Sequence, residues 1–176
     1  MSAIRPACPR AKMNKTTLTF LVTVATLAAL LTSARSQEAH EASLVGSWRL
    51  TAVYDQFTDG RRRDTWGNSP QGMLQFAANG LFTAAIMAGD RAPRAGTVPS
   101  DPVGPAFAYY GTYQVNTSAK TFTFHVQQST WPQWNGATLN RTITELTSRS
   151  LKVVAAPIRD PQGGEFQPHL EFERIP

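Results

Sequence analysis

Asn79-Gly80 stands between two apolar runs, MLQFAA and LFTAAIM. Both residues tolerate positive φ, and a two-residue turn of that kind matches the twist of paired antiparallel strands. This hairpin constrains the chain more than any other feature, because the same grammar recurs along its length. GSWRLTAVY alternates, with Trp48, Leu50, Ala52 and Tyr54 on one face and Ser47, Arg49 and Thr51 on the other, the period of a half-buried strand. Asp59-Gly60 is a turn, RRRDTW a polar returning strand, and NSPQG a break. Further on, YYGTYQVN, KTFTFHVQQS, ATLNRTITEL, SLKVVAA and HLEFERI read as strands. They are separated by turns at Thr117–Ala119 and Ser148-Arg149, the break TWPQWNG, and a loop with Gly163-Gly164. Four prolines between 89 and 105 disfavour a helix there. That stretch is expected to be a mobile loop or lid, with at most a helical turn near 105–109.

The result is about eight or nine short strands, no amphipathic helix, no internal repeat and no second domain. Parallel α/β folds need crossover helices and are disfavoured. An all-β fold remains, either a closed antiparallel barrel or a sandwich.

Residues 18–31, LTFLVTVATLAALL, are apolar and uncharged, follow Lys12 and Lys15, and precede the small polar stretch TSARSQEA. This is the pattern of a secretory signal peptide, and the run is short for a membrane span, which needs about 20 residues. Residues 1–36 are read as the signal peptide, cleaved after Ser36, with an uncleaved anchor as the rival. Residues 37–43 form a short N-terminal segment and 44–176 the domain. No stable membrane insertion is expected after cleavage, and the mature protein is expected to be secreted or periplasmic.

Of the 17 basic residues, five (Arg5, Arg10, Lys12, Lys15 and Arg35) lie in the first 36, where there is no acid, so the remaining 12 balance 12 acids. The high charge thus belongs to the leader and gives no argument for nucleic acid. Cys8 is the only cysteine, so the mature chain can form neither a disulfide nor a thiolate site. Its histidines at 40, 125 and 169 have no metal-ligand spacing. No Gly-x-Ser-x-Gly elbow, phosphate-binding loop or dinucleotide fingerprint occurs. No cofactor and no metal are expected.

Three strands carry a polar residue at an informative place. In the last strand Arg174 shares a face with Leu170 and Phe172. A guanidinium there needs a partner, and an indole such as Trp48 is one it accepts; the alternative is that it reaches back to water. Arg141 shares a face with Leu139 and Ile143 in mid-strand, either paired with a ligand carboxylate or an inward acid, or facing solvent. His125 lies with the threonines of TFTFHVQQ, a surface residue unless the barrel holds a polar, wet cavity. Trp131 and Trp134 flank Pro132 and form either a stacking surface at an entrance or a plug in the barrel end.

From Leu44 to Arg174 the chain resembles the lipocalin-like domain family of short bacterial and fungal proteins. The stretches that carry the resemblance are LVGSWRL, WGNSPQGMLQFAANGLFTAAIM, AYYGTYQV, FHVQQSTWPQWNGATLNRTITEL and LEFERI. It implies an up-and-down β-barrel of about eight strands around a small cavity. It also implies that Trp48, opened by Gly46, packs under Arg174 to close the barrel. The family commonly has a helical segment between 88 and 108, where this chain is broken by prolines. The resemblance assigns no single activity.

Three functional readings stay open. The first is a secreted or periplasmic module that binds a small apolar or amphipathic molecule in the barrel. Its candidate ligand-binding residues are Tyr109, Tyr113, Phe124, His125, Trp134 and Arg141, with most of the pocket apolar. The second is a cofactor-free isomerase or cyclase, which requires His125 and a tyrosine in one pocket; no catalytic residue is assigned. The third is an envelope-associated module with a filled barrel and an unknown protein partner.

Overall fold

The computed structural model describes residues 44–92, 98, 104–161 and 163–176. The expected signal peptide, the 37–43 segment and most of the proline-rich stretch lie outside the described residues.

The alternating stretches form strands where their apolar faces can be buried together. In chain order they are β1 (Gly46–Phe57), β2 (Arg62–Arg63), β3 (Gln71–Phe76), β4 (Leu81–Met87), β5 (Ala106–Asn116), β6 (Thr121–Ser129), β7 (Thr138–Leu146), β8 (Ser150–Ala155), β9 (Ile158–Arg159) and β10 (Glu165–Arg174). The sheet order is β2-β1-β3-β4-β5-β6-β7-β8-β10-β9, and β1 also pairs with β10. That last pairing closes an antiparallel eight-stranded barrel and leaves β2 and β9 as short additions at its rim. Closure removes the open sheet edges that would otherwise template aggregation.

The meander sorts the connections to two ends. The turns at 77–80, 117–120 and 147–149 gather at one end with the start of β1 and the end of β10. They are laced by backbone bonds from Tyr113 to Gly80, Ile143 to Lys120, Arg174 to Arg149 and Ile175 to Ser47. The connections at 58–70 and 130–137 gather at the other, with residues 88–92 after β4 and 156–161 after β8. One short 3₁₀ turn, Pro132–Trp134, lies in the 130–137 connection.

The core runs down the middle of the barrel. Trp48, Phe76, Phe122, Phe124 and Leu151 are among its fully buried side chains. Phe76 meets Tyr113 and Phe122 edge-on, at 4.9 and 5.3 Å between ring centres, and Phe82 stacks on Phe124 at 3.9 Å. Each such pair is worth about 0.5–1.5 kcal/mol beyond the area it buries.

Two local expectations are corrected. Simple alternation puts Ala52 and Tyr54 on the core face with Trp48 and Leu50. In the barrel the β1–β10 register slips between Leu50 and Ala52, so Thr51 is an extra residue whose hydroxyl donates to the Glu171 carbonyl, 3.0 Å. The bulge reverses the phase: Val53, Asp55 and Phe57 turn inward, and Tyr54 stacks on His169 at 5.0 Å. The expected helical turn near 105–109 is instead the first part of β5, which begins at Ala106, directly after Pro105.

Candidate functional site

The closed end is built from β1 and β10. Trp48 faces Arg174 across the ladder, and the Arg174 guanidinium carbon lies 4.1 Å from the indole centre. The same guanidinium donates to the carbonyls of Val45, 2.7 Å, and Ser148, 3.0 Å. Trp48 is fully buried and its indole N–H donates to the Leu44 carbonyl at 2.8 Å. Gly46 has φ +131°, and a Cβ there would stand 2.7 Å from the Arg174 Nη1. Arg49 points outward to Glu173, 3.2 Å. This end is a seal in which the Trp48 N–H and the Arg174 guanidinium are both partnered.

Arg141 occupies the interior. Alternation in β7 turns it inward with Ile143, and only 9% of it is exposed. Its guanidinium donates to the Asn140 carbonyl, 2.9 Å, and lines the same small void as Tyr109. Tyr109 comes from β5, two strands away, and is buried against Phe82 and Phe124. Burial pushes its phenol above the usual value, while the Arg141 charge pulls the other way. Among the described residues no carboxylate pairs with Arg141, although Arg49, Arg62, Arg63 and Arg159 do find acids. The wall around the pair is apolar, with Leu74, Ala84, Ile86, Phe122, Phe124 and Val153. The void between them is about 10 Å³, near the minimum that holds one water.

Above Tyr109, towards the loop end, lies a run of rings. Phe107 stacks on Tyr109 at 5.5 Å, and Trp134 meets both edge-on, at 5.4 and 5.3 Å. Trp66 tilts against Phe107 at 5.4 Å, and Trp131, half exposed, stacks on Trp134 at 5.9 Å. Phe107 and Trp66 were not among the sequence candidates. Phe107 shares the period-two face of Tyr109, and that signal was hidden by taking Pro105 as the start of a helical turn.

The six candidates therefore separate. Tyr109, Phe124 and Arg141 line one void in the interior, and Trp134 packs against Tyr109. Tyr113 is buried but points to the sealed end, where its hydroxyl donates to the Ala77 carbonyl at 3.0 Å. His125 does not line the interior: it alternates with buried Phe124 and Val126, and its Nδ1 lies 3.3 Å from the Thr138 hydroxyl on the outside. The core on the other face of β6 is apolar and almost without void, so the polar face is the solvent face. His125 and Tyr109 consequently stand on opposite sides of the wall, and the acid–base pair needed for an isomerase or cyclase is not assembled.

A larger concavity of about 560 Å³ lies outside the barrel, between Phe57, Arg61, Arg62, Arg63, Asp160 and Gly164. Its arginines are neutralised by Asp59, Asp64 and Asp55 at 2.7, 2.8 and 2.9 Å, so it offers an anion little net charge. Among the described residues no cluster of His, Cys, Asp and Glu could hold a metal ion.

A family model described as a lipocalin-like domain matches residues 45–174. No curated protein matches the chain. Among solved structures, a redesigned β-barrel is 14% identical over 77% of this chain and 95% of its own, with a TM-score of 0.38. A de novo designed fluorescence-activating β-barrel is 15% identical over 77% and 96%, with a TM-score of 0.38. The protein EF1p2_mFAP2b, solved bound to DFHBI, is 17% identical over 80% and 98%, with a TM-score of 0.44.

Proposed function

The chain belongs to the lipocalin-like domain family, and on that premise we propose that it is an exported binding protein whose barrel takes a small amphipathic molecule with an anionic end. Arg141 is the observation that carries the reading. A charge withdrawn from water costs several kcal/mol unless a counter-charge meets it, and no side chain among the described residues supplies one. A ligand carboxylate, sulfonate or phosphate does, with the Tyr109 hydroxyl as a second donor. The aliphatic and aromatic wall takes the apolar remainder.

The void of about 10 Å³ means that the ligand enters by displacing side chains. Its apparent affinity is then lowered by the fraction of molecules in the open state. The same void supports the rival reading of a filled structural barrel, and one experiment separates the two. Isothermal titration of the purified protein with decanoate and 2-naphthoate, each against the corresponding alcohol, is expected to show the acid binding at least about tenfold tighter, the ratio a single charge-assisted hydrogen bond supplies. An alcohol that binds as well as its acid removes Arg141 from the account. No binding of any of the four favours the filled barrel. Export rests on the 18–31 apolar run, and N-terminal sequencing of the secreted protein is expected to begin at Gln37.

A further inference from the structure

Tyr109, which lines the void at Arg141, is packed towards the loop end by the rings of Phe107 and Trp134, and Trp134 sits on a slender support. Trp134 is the last residue of the Pro132–Trp134 turn, which has no fully buried residue and no side-chain cap, and Trp134 alone of the three packs partly buried against the core. Both ends of the connection are fastened. Thr130 bonds Ala108 through backbone and hydroxyl, and Gly136 and Ala137 bond Val126. Between those anchors the turn is held by local bonds, with Asn135 Oδ1 accepting from the Ser129 N–H and Ser129 Oγ accepting from the Trp131 N–H. Gly136 sits at φ +77° with open space around it, so the backbone can pivot there without a clash. Segments with few buried contacts open at low free-energy cost while the rest of the fold stays intact.

What Trp134 covers is specific. Its indole presents an edge-to-face contact to Phe107 and another to Tyr109, and Tyr109 lines the same void as Arg141. A ligand that reaches Arg141 past Tyr109 displaces that indole and forfeits both contacts. A planar aromatic ring restores them, because edge-to-face geometry needs a quadrupole on both partners; an alkyl chain restores only the buried area.

We propose that Trp134 is a swinging aromatic cap, and that the ligand it admits is a planar aromatic molecule bearing an anionic group. Trp131, stacked on Trp134 at the surface, moves with it and offers the arriving ring its first stacking partner. This inference rests on the anion-binding reading of Arg141 and adds the ring class and the gate.

The test uses the full-length purified protein with 2-naphthoate and decanoate as probes, followed by titration and by stopped-flow tryptophan fluorescence. In the unmodified protein 2-naphthoate is expected to bind about tenfold tighter than decanoate, the ratio two aromatic contacts supply. Trp134→Ala is expected to raise the 2-naphthoate association rate at least about tenfold, the factor by which two lost aromatic contacts favour opening, and Trp134→Phe to leave it near the original value. Decanoate binding as tightly as 2-naphthoate overturns the proposal and leaves the anion site standing. An association rate unchanged in a folded Trp134→Ala protein overturns the gate. If neither acid binds, the proposal and the anion-site reading fall together. The selectivity measurement needs no variant, so it decides the ligand class even where Trp134→Ala fails to fold.

Discussion

The Arg174 guanidinium lies 4.1 Å above the centre of the Trp48 ring and is pinned there by the carbonyls of Val45 and Ser148. The three contacts tie the first strand, the last strand and the 147–149 turn into one seal. A cation over a desolvated indole contributes about 2 kcal/mol, and a hydrogen bond from a charged donor about 1.5–3 kcal/mol. Arg174→Ala is therefore expected to lower unfolding stability by about 2–4 kcal/mol in urea denaturation. Arg174→Lys keeps the charge but not the planar fork, and should fall between the two.

Gly46 belongs to the same seal for a steric reason. Its φ of +131° is strained for any side chain, and a Cβ would press on the Arg174 Nη1, whose bond to Val45 keeps it from stepping aside. Gly46→Ala should cost about 1–3 kcal/mol for the backbone alone, plus the displaced guanidinium. The two substitutions share one contact, so the double variant should be less destabilised than the sum of the singles. A double-mutant cycle by denaturation measures this, with an expected coupling of about 0.5–3 kcal/mol; strict additivity contradicts the shared seal.

Arg141 sets function against stability. If its charge is held in the barrel for a ligand, then removing it should stabilise the empty protein. Arg141→Met fills similar volume without the charge, and is expected to raise stability by about 1–4 kcal/mol while abolishing 2-naphthoate and decanoate binding. Calorimetric melting and titration of the same preparation check both halves. A variant that melts lower and binds unchanged assigns Arg141 to the fold.

Tyr109 predicts an alkaline limit. Burial holds its phenol above the ordinary value of 10.0 in the folded protein, so the folded state keeps its proton after the unfolded chain has lost it. Its contribution is intact below pH 10, the value of the unfolded phenol, and is lost as pH rises from there towards the folded value, with stability falling by up to about 1.4 kcal/mol per pH unit in that window. Tyr109→Phe removes the ionisable group and a hydroxyl from the void that Arg141 also lines. It should be less stable at neutral pH by about 1–3 kcal/mol, yet have a flatter melting profile between pH 9 and 11. Parallel slopes for the two proteins contradict this.

The architecture was legible because a barrel is written locally: each hairpin needs only its turn residues and a two-residue period, and both are local features of the chain. Arg141 stood out for the same reason, between Leu139 and Ile143. Its link to Tyr109 was not legible, since β5 and β7 are separated by β6 in the wall and meet only because the sheet curves on itself. Thr51 was missed because a bulge leaves no mark in the sequence and is specified by the partner strand. Simple alternation therefore puts Tyr54 on the core face, where the barrel has Val53 and Asp55 instead. The position of His125 turned on a single unknown, whether the interior is wet, which the packing of Phe76, Phe82, Phe122 and Phe124 decides.

The phase reversal at Thr51 creates one buried acid. Asp55 is turned inward with 8% exposure, and its Oδ2 accepts from Arg63, at 2.9 and 3.1 Å, and from the Thr65 hydroxyl at 3.0 Å. Arg63 is in turn packed over the Phe57 and Phe166 rings, at 5.0 and 4.6 Å. Asp55 thus joins the 58–65 hairpin to the β1–β10 ribbon, away from the Arg141 pocket. Asp55→Asn keeps the shape and weakens the charge-assisted bonds, for an expected loss of about 1–3 kcal/mol. Arg63 is partly open to water, which holds the cost below that of a fully buried pair. Amide hydrogen exchange should show faster exchange confined to Phe57–Thr65 and the facing residues of β10, with binding of 2-naphthoate unaltered. Accelerated exchange across β5 and β7 as well contradicts the separation of the two sites.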